Sequence, residues 1–347
     1  MKTILVDGNY ILKANFEFRA SMFSKGEHCG GSFGFLDSIR SVLNKFMFDR
    51  CIVMWDGMVG GKMRHDIYPP YKENRNKSFE MDSYYMTDEL IDEEKRKKYT
   101  ILQQKIKVKN YLEELFIRQC EIEEIEADDL IAKYVLDKNE DEEIIIFSSD
   151  KDYYQLIDNK VSILRPKDDL LITKNNFKEK FGYVIENVLT LRCFEGDTSD
   201  NISGVDGIAF TTIKKLFPRF CDEEYTIDRI IEESVQLYSS LKKKPKSLEK
   251  LIGCRKIFER NKRLMNLKEP FLNKQAIKEV EDVRTCVIAG HDQNVDRGID
   301  NAIKMFHKDG YNKLAWEENV EYFFRPFHRI VLREKEYTKM VLEENKE

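Results

Sequence analysis

The chain has 347 residues, 41% of them hydrophobic and 35% charged, with a formal net charge of -5. This suits one large domain or two of ordinary size, and it excludes the global basic field that announces a nucleic-acid binder, so local charge must decide the partner. The seven cysteines and five histidines are scattered without CxxC pairs, which excludes a disulfide framework and argues against a zinc site.

No apolar run approaches a membrane span, and "MKTILVDGNY" is too short for a signal sequence. A soluble, reduced, cytoplasmic protein is expected. Residues 3–6 (TILV) form a short apolar run closed by "DGN", which reads as a buried strand ending at Asp7. Residues 51–55 (CIVMW) repeat the pattern before Asp56-Gly57, and residues 144–147 (IIIF) repeat it before "SSDKD". Such runs alternating with helical stretches predict a parallel sheet covered on both faces. Ligands bind outside the carboxyl ends of the strands in such sheets, so Asp7, Asp56, Asp150 and Asp152 should converge. Residues 60–100 are charged with little apolar periodicity and read as a mobile excursion from the sheet. Residues 101–117 recover helical spacing, and the chain from about 186 onward reads as helical, interrupted by "GDTSDNISGVDGI". Residues 242–263 are strongly basic. "EYFFRPFHRIV" (321–331) is read as core packing, with a partner-binding patch as the lesser alternative.

"IEADDLIAKYV" (125–135) crowds Glu126, Asp128 and Asp129 into the start of a helix. Acids are common there because they cap free N–H groups and complement the helix dipole, and taken alone Asp128 and Asp129 read that way. Asp7, Asp56, Glu126, Asp128, Asp150, Asp152, Asp197 and Asp200 all stand beside strand ends or turn signals, however, and capping does not explain that placement. Hard divalent cations do. Mg²⁺ takes oxygen ligands, and two ions about 4 Å apart need a crowd of carboxylates.

The chain resembles the structure-specific 5′ nucleases, the flap endonucleases and 5′-3′ exonucleases of the PIN-like superfamily, and most of all a bacteriophage replication exonuclease. The matching pieces run in family order: "ILVDGNY" (4–10), "MWDG" (54–57), "RHDIYPPYKENR" (64–75), "EADDLIA" (126–132), "SSDKDYYQL" (148–156) and "GDTSDNISGVDGI" (196–208). They cover about the first two-thirds of the chain. The fold implied is α/β, a mostly parallel central sheet flanked by helices, with a helical arch insertion and a helical C-terminal part containing a helix-hairpin-helix motif. The expected divisions are a nuclease domain at 1–185 with its arch at about 60–100, a DNA-binding region at 186–270, and a helical region of unknown role at 271–347.

The resemblance assigns Asp7, Asp56, Glu126 and Asp128 to one Mg²⁺. It assigns Asp150, Asp152, Asp197 and Asp200 to a second, with Asp128 shared and Asp129 counted among the metal acids, acting through water; Mn²⁺ can substitute. It implies that Lys72 and Arg75 of "YKENR" contact the scissile phosphate and that Tyr71 stacks on a base, with Arg64 a lesser phosphate candidate. As bare sequence this stretch is an exposed charged loop. Residues 76–100 would form the arch, although "FEMDSYYMTDELIDEE" is acidic where a basic arch is the pattern. Gly204 and Gly207 would bring backbone N–H groups to duplex phosphates beside a K⁺ ion, and Lys214 and Lys215 would extend that grip. Ala209 and Phe210 depart from the family's hairpin and put the K⁺ in doubt.

The implied activity is Mg²⁺-dependent phosphodiester hydrolysis at 5′ ends, flaps or nicks, in replication or repair, in a bacterial or phage-infected cell. RNA in RNA–DNA hybrids is a second implied substrate, and a single-strand binding protein or clamp are implied partners of a monomer. A PIN-like ribonuclease is disfavoured by the hairpin. A non-catalytic junction binder is disfavoured by the acids, which only repel phosphate without metal.

Overall fold

A computed structural model describes residues 1–73, 88–285, 295–315 and 320–344. Its central sheet is built by β1 (Lys2–Asp7), β4 (Arg50–Asp56), β5 (Arg118–Ile122), β6 (Glu143–Phe147), β7 (Val161–Arg165) and β8 (Leu170–Ile172), in the order β5-β4-β1-β6-β7-β8. A small hairpin, β2 (Phe23–Ser24) with β3 (Glu27–His28), lies outside it. All neighbours in the sheet run parallel except β7 and β8. The three strands expected from apolar runs are therefore the three at the centre. Registers Asp7↔Met54 and Val6↔Phe147 leave the carboxyl ends of β1, β4 and β6 side by side.

Successive strand residues point to opposite faces, and here both faces are buried. Ile4, Val6, Val53, Trp55 and Ile145 enter one core, while Leu5, Ile52, Met54, Ile144 and Ile146 enter the other. β5 escapes an apolar-run criterion because it alternates. Cys120 and Ile122 are buried, while Glu121 takes salt bridges from Lys105 and Lys109 at the sheet edge.

The first core is closed by the chain's C-terminal part. Phe323, Phe324, Phe327, Ile330 and Val331 of the helix Val320–Glu344 recur at i, i+1, i+4, i+7 and i+8, one apolar stripe. They pack with Phe33 and Phe306 against the sheet. "EYFFRPFHRIV" is thus core. Glu334 on the same helix is buried and accepts from Arg50 Nε at 2.8 Å and Arg118 Nε at 2.5 Å, which ties the helix to β4 and β5. Helix Lys274–Thr285 likewise contributes Ala276 and Val280 to the second core. Residues beyond 271 so complete both faces of the sheet.

Residues 191–258 bury a separate apolar cluster that includes Phe194, Ile208, Ile213, Phe217 and Phe258. Strands β9 (Gly196–Asp197) and β10 (Ile202–Ser203) pair antiparallel within this stretch. In the expected excursion the structure places the helix Lys62–Ile67 and the long helix Asp88–Glu114. Residues 76–87 of the expected arch, and Arg75 before them, lie outside the described residues. No described helix is long and apolar enough to cross a membrane.

Candidate active site

Eight acids line one cavity of about 540 Å³ at the carboxyl ends of the central strands: Asp7, Asp56, Glu126, Asp128, Asp150, Asp152, Asp197 and Asp200. Each is held by its own local structure. Asp7 ends β1 and caps the helix Gly8–Phe18, taking Tyr10 N–H at 3.0 Å on one oxygen. Its other oxygen accepts from Ser148 Oγ at 3.1 Å and from the Tyr153 hydroxyl at 3.2 Å. Asp56 ends β4, accepts from Asn9 Nδ2 at 2.9 Å, and takes the Ala127 N–H at 2.8 Å, which fastens it to the helix that Glu126 and Asp128 open. Gly57 then lets the chain turn: a Cβ there would lie 1.9 Å from Ile122 O. Asp150 accepts from Asp152 N–H at 2.8 Å in the turn after β6. Asp197 is in β9, and Asp200 follows in the turn to β10.

The crowding has an electrostatic signature. Burial, with Asp56 alongside, pushes the Asp7 carboxyl up to about 6. Enclosure and the neighbouring Asp152 push Asp150 up to about 7. Burial raises Asp128 well above the usual carboxylate range and raises Asp152 as well. Burial also opposes ionisation of Glu126, but Lys72 and Arg64 overcome it and its pKa is lowered. For Asp197 the opposition is overcome by Ser199 and Arg192. Asp7, Asp128, Asp150 and Asp152 thus resist their own charge, whereas Glu126 and Asp197 are held ionised by their neighbours.

Donor chemistry agrees with a hard divalent ion. The lining acids offer only oxygen, and the buried Oδ1 of Asn9 has no hydrogen-bond partner within the chain. Oxygens of Glu126, Asp128 and Asp129 lie within 4.8 Å of one another.

Three sequence expectations change at this point. Arg64 is only 2% exposed. Its guanidinium meets Glu126 at 2.6 Å and Asp129 at 2.5 and 2.9 Å, and its Nε donates to Leu264 O at 2.8 Å. It is sealed beneath the acids and is not open to a phosphate. Asp129, 1% exposed, spends both oxygens on Arg64 and also accepts the Phe271 N–H at 2.9 Å, so it buttresses the cluster from outside the cavity lining. Tyr71 is 5% exposed and donates its hydroxyl toward Glu126 at 2.9 Å and Asp200 at 3.2 Å; its ring is packed with Ile202, Leu264 and Met265 and is not free to stack on a base.

Lys72 does reach the cavity. Its ammonium is paired with Glu126 and lies 3.9 Å from Asp200, while its N–H donates to Asp200 O at 2.9 Å. Its backbone sits at φ 54, a left-handed conformation that a lysine adopts only when its surroundings impose it. Asn201 Nδ2 donates to Pro70 O at 2.7 Å, so the "YK" segment and the "SDN" segment are docked together.

At the hairpin, Gly204 serves packing: a Cβ there would lie 2.3 Å from Phe194 O. Gly207 is exposed at φ 74, and Lys214 and Lys215 are exposed on the helix Phe210–Leu216. Phe210, where the family pattern has a small residue, packs 5.0 Å from the Tyr183 ring, and its N–H is taken by Glu195 at 3.0 Å. Lys250 Nζ donates to the hairpin carbonyl of Asp206 at 2.9 Å. In the basic run, Arg255 pairs with Asp228 and Arg260 donates to Ser203 O at 2.6 Å, while Lys256, Lys262 and Arg263 are exposed.

Sequence reading passes over Asn9, Ser148, Tyr153 and Arg192. The first two sit inside quoted motifs as "DGN" and "SSD". Arg192 carries a clearer signal, the lone cation on the largely apolar helix "VLTLRCFE" that leads into "GD". A second cavity, about 470 Å³ between Phe217 and Leu237, holds one carboxylate, Glu233, and lacks the donor set.

Residues 2–182 match the family described as 5′-3′ exonuclease, N-terminal resolvase-like domain. The chain is 30% identical over 220 residues to the 5′-3′ exonuclease of Buchnera aphidicola subsp. Schizaphis graminum, covering 62% of this chain and 70% of that protein. Among solved structures it is similar to the T5 5′-exonuclease with bound divalent metal ions (zinc), with a TM-score of 0.60 and 20% identity, over 88% of this chain and 99% of that one. It is also similar to a bacteriophage T5 flap endonuclease variant in complex with DNA and metal ions, with a TM-score of 0.59 and 21% identity, over 88% and 100%.

Proposed function

Because the chain belongs to the 5′-3′ exonuclease family defined by that N-terminal resolvase-like domain, we propose that it is a Mg²⁺-dependent, structure-specific 5′ nuclease. It hydrolyses phosphodiester bonds at 5′ ends, flaps or nicks of DNA, in replication or repair. The observation that carries this reading is the single cavity lined by eight carboxylates at the carboxyl ends of β1, β4 and β6.

Asp7, Asp56, Glu126 and Asp128 would hold one ion, and Asp150, Asp152, Asp197 and Asp200 the other. Bound there, the ions supply an acidified water and positive charge for the phosphate oxygens. The chain's own residues do the rest. Asn9, Ser148, Tyr153 and the Ala127 N–H fix the carboxylates. Lys72 places an ammonium in the same cavity, where the reacting phosphate must come, and Arg75 follows in the same segment. Gly207, Lys214 and Lys215 form the exposed part of the hairpin and suit sequence-independent contact with duplex phosphates. RNA–DNA hybrids offer the same backbone chemistry and are a second substrate class.

The test is cleavage of 5′-labelled flap, nicked, gapped and RNA–DNA substrates with Mg²⁺, with Mn²⁺ and with chelator. Cleavage of a flap or nick that chelation abolishes is expected. Chelator-resistant cleavage, or binding without cleavage in either metal, would overturn the reading.

A further inference from the structure

Arg192 stands on the helix Val188–Glu195, whose Leu191, Cys193 and Phe194 are buried in the apolar cluster of the DNA-binding region. From there its side chain reaches two of the acids that line the cavity. Nε donates to Asp152 Oδ1 at 2.7 Å, Nη2 to Asp197 Oδ2 at 2.7 Å, and Nη1 approaches Gly196 O at 3.4 Å. One guanidinium therefore spans two acids from separate segments, the turn after β6 and strand β9. A rigid planar fork can hold two carboxylates at a set separation; an ammonium on a flexible stem cannot. Asp197 is held completely, since its other oxygen accepts from Ser199 N–H at 2.8 Å and Ser199 Oγ at 2.6 Å.

Both halves of the site carry a guanidinium. In the first half the buried Arg64 meets Glu126 at 2.6 Å, and Lys72 adds a long-stemmed ammonium on the same carboxylate. The ammonium can swing away when a stronger cation arrives. The second half carries Arg192, whose neighbours on its own helix are locked into a core. Its charge stays.

We propose that Arg192 is a positioning residue for the second half of the site: it sets the separation of Asp152 and Asp197, and its fixed charge weakens that half's hold on a divalent cation. The inference rests on the proposed function in assigning divalent ions to these acids.

The experiment is calorimetric titration of Mn²⁺ into metal-free protein for wild type, Arg192→Gln and Arg192→Lys, paired with single-turnover cleavage at saturating Mn²⁺. Wild type is expected to bind Mn²⁺. Removing a unit charge beside Asp152 and Asp197 in Arg192→Gln should tighten one class of site by at least about tenfold. Arg192→Lys keeps the charge and loses the fork, so Mn²⁺ affinity stays at the wild-type level while the single-turnover rate falls. Mn²⁺ affinity in Arg192→Gln that is unchanged or weaker overturns the charge role. An unchanged rate in Arg192→Lys overturns the positioning role, and this variant carries the test if Arg192→Gln does not fold. Wild-type protein that binds no Mn²⁺ overturns the metal reading and the inference together, whereas Mn²⁺ binding without cleavage separates them.

Discussion

Arg64 and Asp129 form a two-pronged ion pair, 2.5 and 2.9 Å, sealed beneath the acids that line the cavity. Neither side chain is open to solvent. The pair anchors the helix Lys62–Ile67 to the helix that carries Glu126 and Asp128, and Phe271 N–H joins from the C-terminal side. Breaking a buried pair by removing one partner leaves an uncompensated charge and costs about 3–5 kcal/mol. Arg64→Ala should therefore lower the metal-free melting temperature by many degrees. Asp129→Asn should cost stability as well while changing Mn²⁺ affinity far less than Asp128→Asn does. Thermal melts and Mn²⁺ titrations of the three variants check this; equal metal loss in both Asn variants would return Asp129 to the ligand set.

The raised carboxyls give the metal-free protein a particular pH dependence. The Asp7 carboxyl is raised from 3.8 to about 6, so the folded state holds a proton that the unfolded state releases earlier. Its contribution is full below about pH 4 and is lost as pH rises through about 6, on the order of 3 kcal/mol. Asp150, raised to about 7, acts in the same direction with solvent screening at its exposed side. Glu126 and Asp197, lowered in the folded state, contribute stability that is lost only at the acid end. The chelated protein should melt lower at pH 8 than at pH 5.5, and the melting-temperature gain from Mg²⁺ should be larger at pH 8. A gain independent of pH would show that the ions bind elsewhere.

Asp150→Asn or Asp152→Asn should abolish cleavage and leave duplex affinity nearly unchanged, because these carboxylates serve chemistry and repel phosphate. Cleavage assays beside fluorescence-anisotropy binding in Ca²⁺ compare the two. Near-normal turnover in Mg²⁺ by either variant would remove that acid from the site.

Lys72→Ala should slow the single-turnover step by two orders of magnitude or so while weakening duplex binding only slightly, consistent with an interaction made in the transition state. The motivation is the Lys72 ammonium lying among the acids rather than on an outer face. Poorer affinity at an unchanged single-turnover rate would make it a docking residue instead.

Lys214→Ala with Lys215→Ala should weaken binding to nicked and flap duplexes and spare short single strands. Each phosphate that the variant no longer neutralises should flatten the slope of log K against log salt by roughly 0.9. Both lysines are exposed beside the hairpin, and neither is paired with a carboxylate in a described salt bridge. Equal slopes and affinities for wild type and the double variant would place the duplex elsewhere.

Much of the candidate site was legible from local signals. An acid directly after a short apolar strand must stand at a sheet edge, and parallel pairing brings such edges together, so Asp7, Asp56, Asp150 and Asp152 were readable without coordinates. The crowding at 126–129 was readable because like charges do not gather without a reason. Tertiary structure alone decided which charges face the cavity and which hold it up. Arg64 meets Asp129 across 65 residues and Leu264 across 200, and Arg192 meets Asp152 across 40. Arg64 and Tyr71 sit in the same motif as Lys72, and its spacing does not show that two are buried while one reaches the cavity. The same holds for the C-terminal helix, where Glu334 finds Arg50 and Arg118 only once the sheet exists. Strand ends and helix starts are set by neighbours in the chain; burial and the choice of ionic partner are set by whatever packing brings alongside.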